Sequence, residues 1–201
     1  ITSGAPFFGT RGWCMRTTRR SAKNLSLAHA WQTDARGRST HAVVRDLRMA
    51  LGALGWAVWF DEEQLLLGDC IDVELCRGIQ ESDVVVVCIT RAYCDKINTQ
   101  SQRDSCAKEF RLALSLNKKI LPIILERDML DATQWPPGVM RMYLANTFHL
   151  DATDDDTAKV ARNMSQMLEL LGVTRKRRPS SRWLRSIFAP PADATRKCIR
   201  V

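Results

Sequence analysis

The sequence predicts an α/β fold, a five-stranded parallel sheet with helices on both faces. Strand and helix patterns alternate five times, and almost no hairpin signal interrupts them. Residues 83–90, DVVVVCIT, form a continuous β-branched run of the kind that suits a central strand covered on both sides.

Taken in order, residues 24–31 (NLSLAHAW) read as the first strand, and residues 32–38 as a polar turn holding Asp34 and Gly37. From Ser39 the apolar positions Val43, Leu47, Ala50, Leu51 and Leu54 recur at three- and four-residue spacing, and Gly55 closes a helix. Residues 56–60 (WAVWF) make a second strand. The loop 61–69 carries Leu65, Leu66 and Leu67 at its centre, which either pack back on the domain or offer a contact to a partner. Residues 71–81 form a second amphipathic helix, with Ile71, Leu75 and Ile79 four apart. Residues 91–103 read as a long polar loop. After the next helix, Asn117-Lys118-Lys119 suits a helix C-terminus, and residues 120–125 form a short apolar strand. Residues 126–141 are expected to be irregular, residues 146–150 to be the fifth strand, and the last helix to start at Asp154 or Asp155.

The helix after residue 104 holds the most informative residue. At 100° per residue, Leu112, Leu116, Ala113, Cys106, Phe110 and Leu114 cover one arc, and Glu109 is the only charge inside it. A carboxylate on an apolar face must be paired, protonated or used, because burying it bare is costly. One reading makes Glu109 an early-turn residue favoured by the helix dipole, with its head in solvent. The other makes it functional, and position supports this: ligands of parallel sheets bind beyond the carboxyl ends of the strands, where this helix begins.

Bulk properties narrow the class. The 201 residues carry a net charge of +8, but residues 1–23 hold +5 and residues 174–201 hold +8, leaving −5 on residues 24–173. Both ends therefore read as poorly ordered basic segments around one domain at 24–173, and the mildly acidic middle argues against a nucleic-acid binder. No apolar run approaches a membrane span. Seven cysteines without a C-x-x-C pair, and three histidines out of ligand spacing with them, predict free thiols in a reducing, cytoplasmic setting and no metal site. Neither G-x-x-x-x-G-K-[ST] nor G-x-G-x-x-G is present. The acid pair and Lys of a phospho-acceptor receiver are missing as well.

Three stretches in this order, WAVWFDEEQLLLGDCI, DVVVVCITRAY and SCAKEFRLALSLNKKILPII, resemble the TIR (Toll/interleukin-1 receptor) domain family over residues 24–172. The resemblance implies a flavodoxin-like three-layer fold. It makes residues 61–69 the BB loop, with Leu65, Leu66, Leu67 and Gly68 serving assembly with other TIR domains or with a second copy. Cys106-Ala107-Lys108-Glu109 is similar to the Cys-x-x-Glu of members that cleave NAD, and implies that Glu109 is catalytic. Trp31, Asp61, Cys106 and Trp135 are then expected to bind substrate, with NAD as substrate and no separate cofactor. Trp31, Trp59 and Trp135 serve either as stacking surfaces or as packing. Ser105, Leu67 and Ala28 depart from residues common in the family, at the positions before the Cys, before the loop Gly and in the first strand. Two functions follow from the resemblance: an assembly-activated NAD glycohydrolase, or a non-catalytic signalling scaffold working through TIR–TIR contact.

Overall fold

The computed structural model describes residues 24–60, 71–99, 101 and 104–175. Five strands lie in the order β2-β1-β3-β4-β5, all parallel: β1 (Leu25–Ala28), β2 (Val58–Trp59), β3 (Val84–Ile89), β4 (Lys119–Ile124) and β5 (Leu150–Asp151). This is the flavodoxin-like order expected of the α/β class. The strand pattern of β3 divides the core in two. Val84, Val86 and Cys88 point to one face with Leu47, Leu51 and Met164, whereas Val85, Val87 and Ile89 point to the other with Ile79, Phe110 and Trp135.

The first face is covered by α1 (Thr40–Ala53) and α6 (Thr157–Leu170), which pack on each other. Ser39 caps α1 by accepting from the Ala42 N–H, and Gly55 (φ 92°) follows its end in the left-handed region. The second face carries α2 (Ile71–Glu81), α3 (Arg91–Asn98), α4 (Ser105–Ser115) and the short α5 (Val139–Leu144). Gly78 of α2 lies so close to Trp59 that a Cβ there would stand 2.4 Å from the indole ring. Lys118 ties α2 to the start of β4, its Nζ donating to the Gln80 and Ser82 carbonyls. Asn117 (φ 50°) ends α4 as the sequence predicts.

Three expectations are corrected. Residues 91–98 are a helix rather than loop, started by Thr90, whose hydroxyl accepts from the Tyr93 N–H at 3.1 Å. Residues 126–141 contain two 3-10 turns (Arg127–Met129 and Ala132–Gln134) and the start of α5. The fifth strand is Leu150–Asp151, because the Thr147 N–H turns back to the Leu144 carbonyl and spends residues 145–148 on a turn. The domain also runs past residue 173. Asn24 Nδ2 donates to the Thr174 carbonyl at 2.8 Å, and the Arg175 guanidinium lies 5.4 Å from the Trp56 ring centre. The terminal segments 1–23 and 176–201 lie outside the described residues.

Candidate active site

Asp104 opens α4, its carboxylate accepting from the Ala107 N–H at 3.2 Å. The first turn is then pinned to the sheet. Cys106 is buried, and its thiol donates to the His29 carbonyl, 3.4 Å away, just past the end of β1. Burial, with the Glu109 charge second, pushes the Cys106 thiol up to about 12, so it stays protonated and acts as a peg. Its side chain lies inside the fold, 6% exposed. Glu109 follows one turn later, half-buried, at a cavity of about 250 Å³ between α2 and α4. Leu75, Ile79 and Leu112 make that cavity largely apolar, and Cys76 and Lys108 stand with Glu109 at its lining.

A second set of rings gathers where β1 and β2 end. The side chains of His29 and His41 meet through Nε2 and Nδ1 at 2.8 Å. Phe60 stacks 5.5 Å from His29 and 5.0 Å from His41. Trp31 leans over His41 with ring centres 3.8 Å apart and is 59% exposed, which leaves it a face for a planar ligand. His29 thus links the two halves of the site. Its carbonyl holds Cys106 of α4, and its ring belongs to the shelf that carries Trp31.

The other two tryptophans do not join that shelf. Trp135 is 1% exposed, with its Nε1 donating to the Met129 carbonyl at 2.7 Å. Trp59 is buried against Gly78. Both rings are buried in the core, the packing alternative of the two that the sequence leaves open. Asp61, Leu65, Leu66, Leu67 and Gly68 lie outside the described residues. The flanks of their loop are placed: Phe60 lies in the ring shelf, and Ile71 begins α2, which walls the Glu109 cavity.

A larger cleft of about 680 Å³ opens on the carboxyl edge of the sheet, between the loops after β1, β3 and β4. Glu109 is not among its lining residues, so the acid sits to the side of the edge and not at its centre. Two buried carboxylates that the helical-arc reasoning missed organise this edge. Glu126 accepts from the Ala35 N–H at 3.0 Å and from the Arg91 N–H at 2.7 Å, strapping the loop after β1 to the start of α3. Asp34 accepts from the backbone N–H groups of Arg36 and Arg38 and from Arg38 Nε. Burial pulls the Asp34 carboxyl up, but the Arg38 hydrogen bonds and charge and the Arg36 N–H together hold it below its ordinary range. Glu126 had a signal in the sequence, an acid placed directly after an apolar strand.

Among the described residues no group of three or more His, Cys, Asp or Glu could hold a metal ion, and no helix is long and apolar enough to cross a membrane. The described cysteines, Cys76, Cys88, Cys94 and Cys106, are free thiols.

Comparison with known proteins comes down on one family. The sequence profile of the TIR domain matches residues 29–165, more than half of the chain. No curated protein matches. Among solved structures, the TIR domains of the activated Roq1 resistosome, which recognises the pathogen effector XopQ, are 17% identical with a TM-score of 0.50. That alignment covers 73% of this chain and 99% of that one. The TIR domain of the Toll-related receptor TRR-2 from Hydra magnipapillata is 17% identical, covering 73% and 98% of the two chains, with a TM-score of 0.49. A TIR-STING receptor from C. gigas in complex with 2',3'-cGAMP is 16% identical over 71% of this chain and 39% of that one, with a TM-score of 0.47. At 17% identity the likeness to the Roq1 TIR domains speaks for the fold alone.

Proposed function

The chain belongs to the TIR domain family, and on that premise we propose that it is an NAD glycohydrolase that works when assembled. One observation carries the reading: Glu109, in its Cys-x-x-Glu setting, is a half-buried carboxylate beside an apolar cavity. The helix that bears it is pegged through Cys106 to the strand end that also carries the exposed Trp31.

The chemistry suits one carboxylate. The C–N bond between ribose and nicotinamide breaks with its electron pair going to the ring nitrogen, so the cationic ring leaves neutral and needs no general acid. The ribose becomes oxocarbenium-like, and a negative charge beside it stabilises that state more than the ground state. Water then adds to the same carbon and gives up a proton, yielding ADP-ribose. Glu109 supplies the charge and orients the water. Apolar walls keep the local dielectric low, which strengthens both effects. Trp31 offers its open face to the flat ring system of the substrate.

Glu109→Gln keeps the shape and removes the charge. Loss of one such electrostatic contact is worth roughly 10²–10³ in rate. Incubation of the purified protein with NAD, followed by chromatography for nicotinamide and ADP-ribose, is expected to show release by wild type and a fall of that order in the variant, with an unchanged melting temperature. No nicotinamide from wild type under crowded, assembled conditions would hand the function to the scaffold reading. Full activity in the variant would remove Glu109 from the site.

A further inference from the structure

Trp31 is the most exposed ring of the shelf, and the loop that follows it sets what lies beneath it. The Thr40 N–H donates to the Gln32 carbonyl at 2.9 Å, and Thr33 bridges to Ser39, so that loop closes on itself. Closure brings Trp31, just before the loop, over His41 in the first turn of α1, with ring centres 3.8 Å apart. An indole that is 59% exposed gives up its rotamer freedom only against a neighbour that is itself fixed.

His41 is such a neighbour. Its Nδ1 meets Nε2 of His29 at 2.8 Å. Only one proton fits between two ring nitrogens, so one imidazole donates and the other accepts. His29 is itself held: it is 4% exposed and stacks 5.5 Å from Phe60, which also lies 5.0 Å from His41. From core to surface the rings run in order, with Phe60 and His29 buried, His41 half-buried and Trp31 open. Apolar contact leaves a ring room to turn about χ2, whereas a hydrogen bond has a direction and fixes the angle. That angle matters here, because the face of His41, 34° from the indole plane, is what lies under Trp31.

We propose that His41 is a positioning residue for Trp31: its imidazole, set by the hydrogen bond with His29, is the seat that presents the indole face to a planar heteroaromatic ring of the substrate. The seat follows from the ring geometry, whereas its part in turnover rests on the hydrolase reading. A stacking face binds ground state and transition state alike, so losing its orientation weakens binding and leaves the chemical step.

His41→Ala removes the seat, Trp31→Ala removes the indole, and His41→Phe keeps a ring without the bond. The first readout needs no activity. The Trp31 indole N–H resonance, assigned by its loss in Trp31→Ala, is followed by 15N relaxation with the buried Trp56 and Trp135 indoles as controls. Its order parameter is expected to fall below about 0.6 in His41→Ala and part of the way in His41→Phe, with the controls unchanged. With NAD as substrate, His41→Ala is expected to raise KM roughly 3–10-fold with kcat unchanged, and to add nothing in the Trp31→Ala background. An indole as ordered in His41→Ala as in wild type overturns the seat. Wild-type order in His41→Phe overturns the part given to the His29 bond. A KM effect that persists without Trp31 overturns the action through the indole. If wild type releases no nicotinamide, the hydrolase reading falls by itself, and the relaxation data still support or overturn the seat.

Discussion

Asp34 shows how much a single side chain does at the sheet edge. Its carboxylate fills one loop by accepting two backbone N–H groups and the Arg38 guanidinium, and Arg38 in turn reaches Asp155 beyond β5. The pH dependence has a definite sign. The folded carboxyl titrates below the unfolded one, so its contribution is present above the ordinary carboxylate value and is lost as pH falls through the folded value. Asp34→Asn is therefore expected to cost about 1–3 kcal/mol at pH 7. The gap from wild type should close as the pH is taken from 7 to well below the ordinary carboxylate range. Urea melts at the two pH values check this, and an equal gap at both would assign the loss to shape instead of charge.

At the scale of elements, α4 bears the proposed catalytic acid, and its start is set by one residue. Asp104→Ala removes the cap on the Ala107 N–H and is expected to cost about 1 kcal/mol. Fraying begins at the turn that holds Cys106 against His29, and Glu109 stands one turn on. Nicotinamide release should thus fall by more than the small change in melting temperature suggests. Activity that follows stability alone would separate the cap from the site. The neighbouring α3 shows why a helix escaped the period-based reading. Only Tyr93, Cys94 and Ile97 of its eight residues are buried, too few to mark a stripe in a polar stretch, and its signal lies in the Thr90 cap.

For the whole molecule, the described contacts of the domain run as far as Arg175. Val173 is buried, Thr174 accepts from Asn24, and Arg175 reaches Ser165 and Glu169. Truncation after Arg175 is expected to leave the melting temperature unchanged. Truncation after Gly172 should cost about 2–4 kcal/mol, from one buried valine and the lost hydrogen bonds. Equal melting temperatures for the two would show that these contacts add nothing. Assembly is the other whole-molecule property. Gly68→Arg, in the leucine-bearing loop, is expected to lower self-association and nicotinamide release together while the monomer stays folded. Sedimentation at matched concentrations decides, and an unchanged distribution counts against that loop as the contact.

The sequence by itself determined what depends on neighbours along the chain. The β-branched run of β3, the spacing of α1 and α2, and the residues at helix ends all follow from local sterics and from burial with a fixed period. Ser39, Gly55 and Asn117 stand at the ends they predict because caps and left-handed turns are met by single residues. It also singled out Glu109, because a charge inside an apolar arc is a local contradiction. Tertiary structure decided everything that depends on which faces meet. Trp31 and Trp135 are the same residue type, yet one stays open and the other is enclosed with its indole on Met129. Glu126 meets Ala35 across 91 positions, and Cys106 meets the His29 carbonyl across 77. No local period carries such pairings, since they arise where separate elements bury their surfaces together.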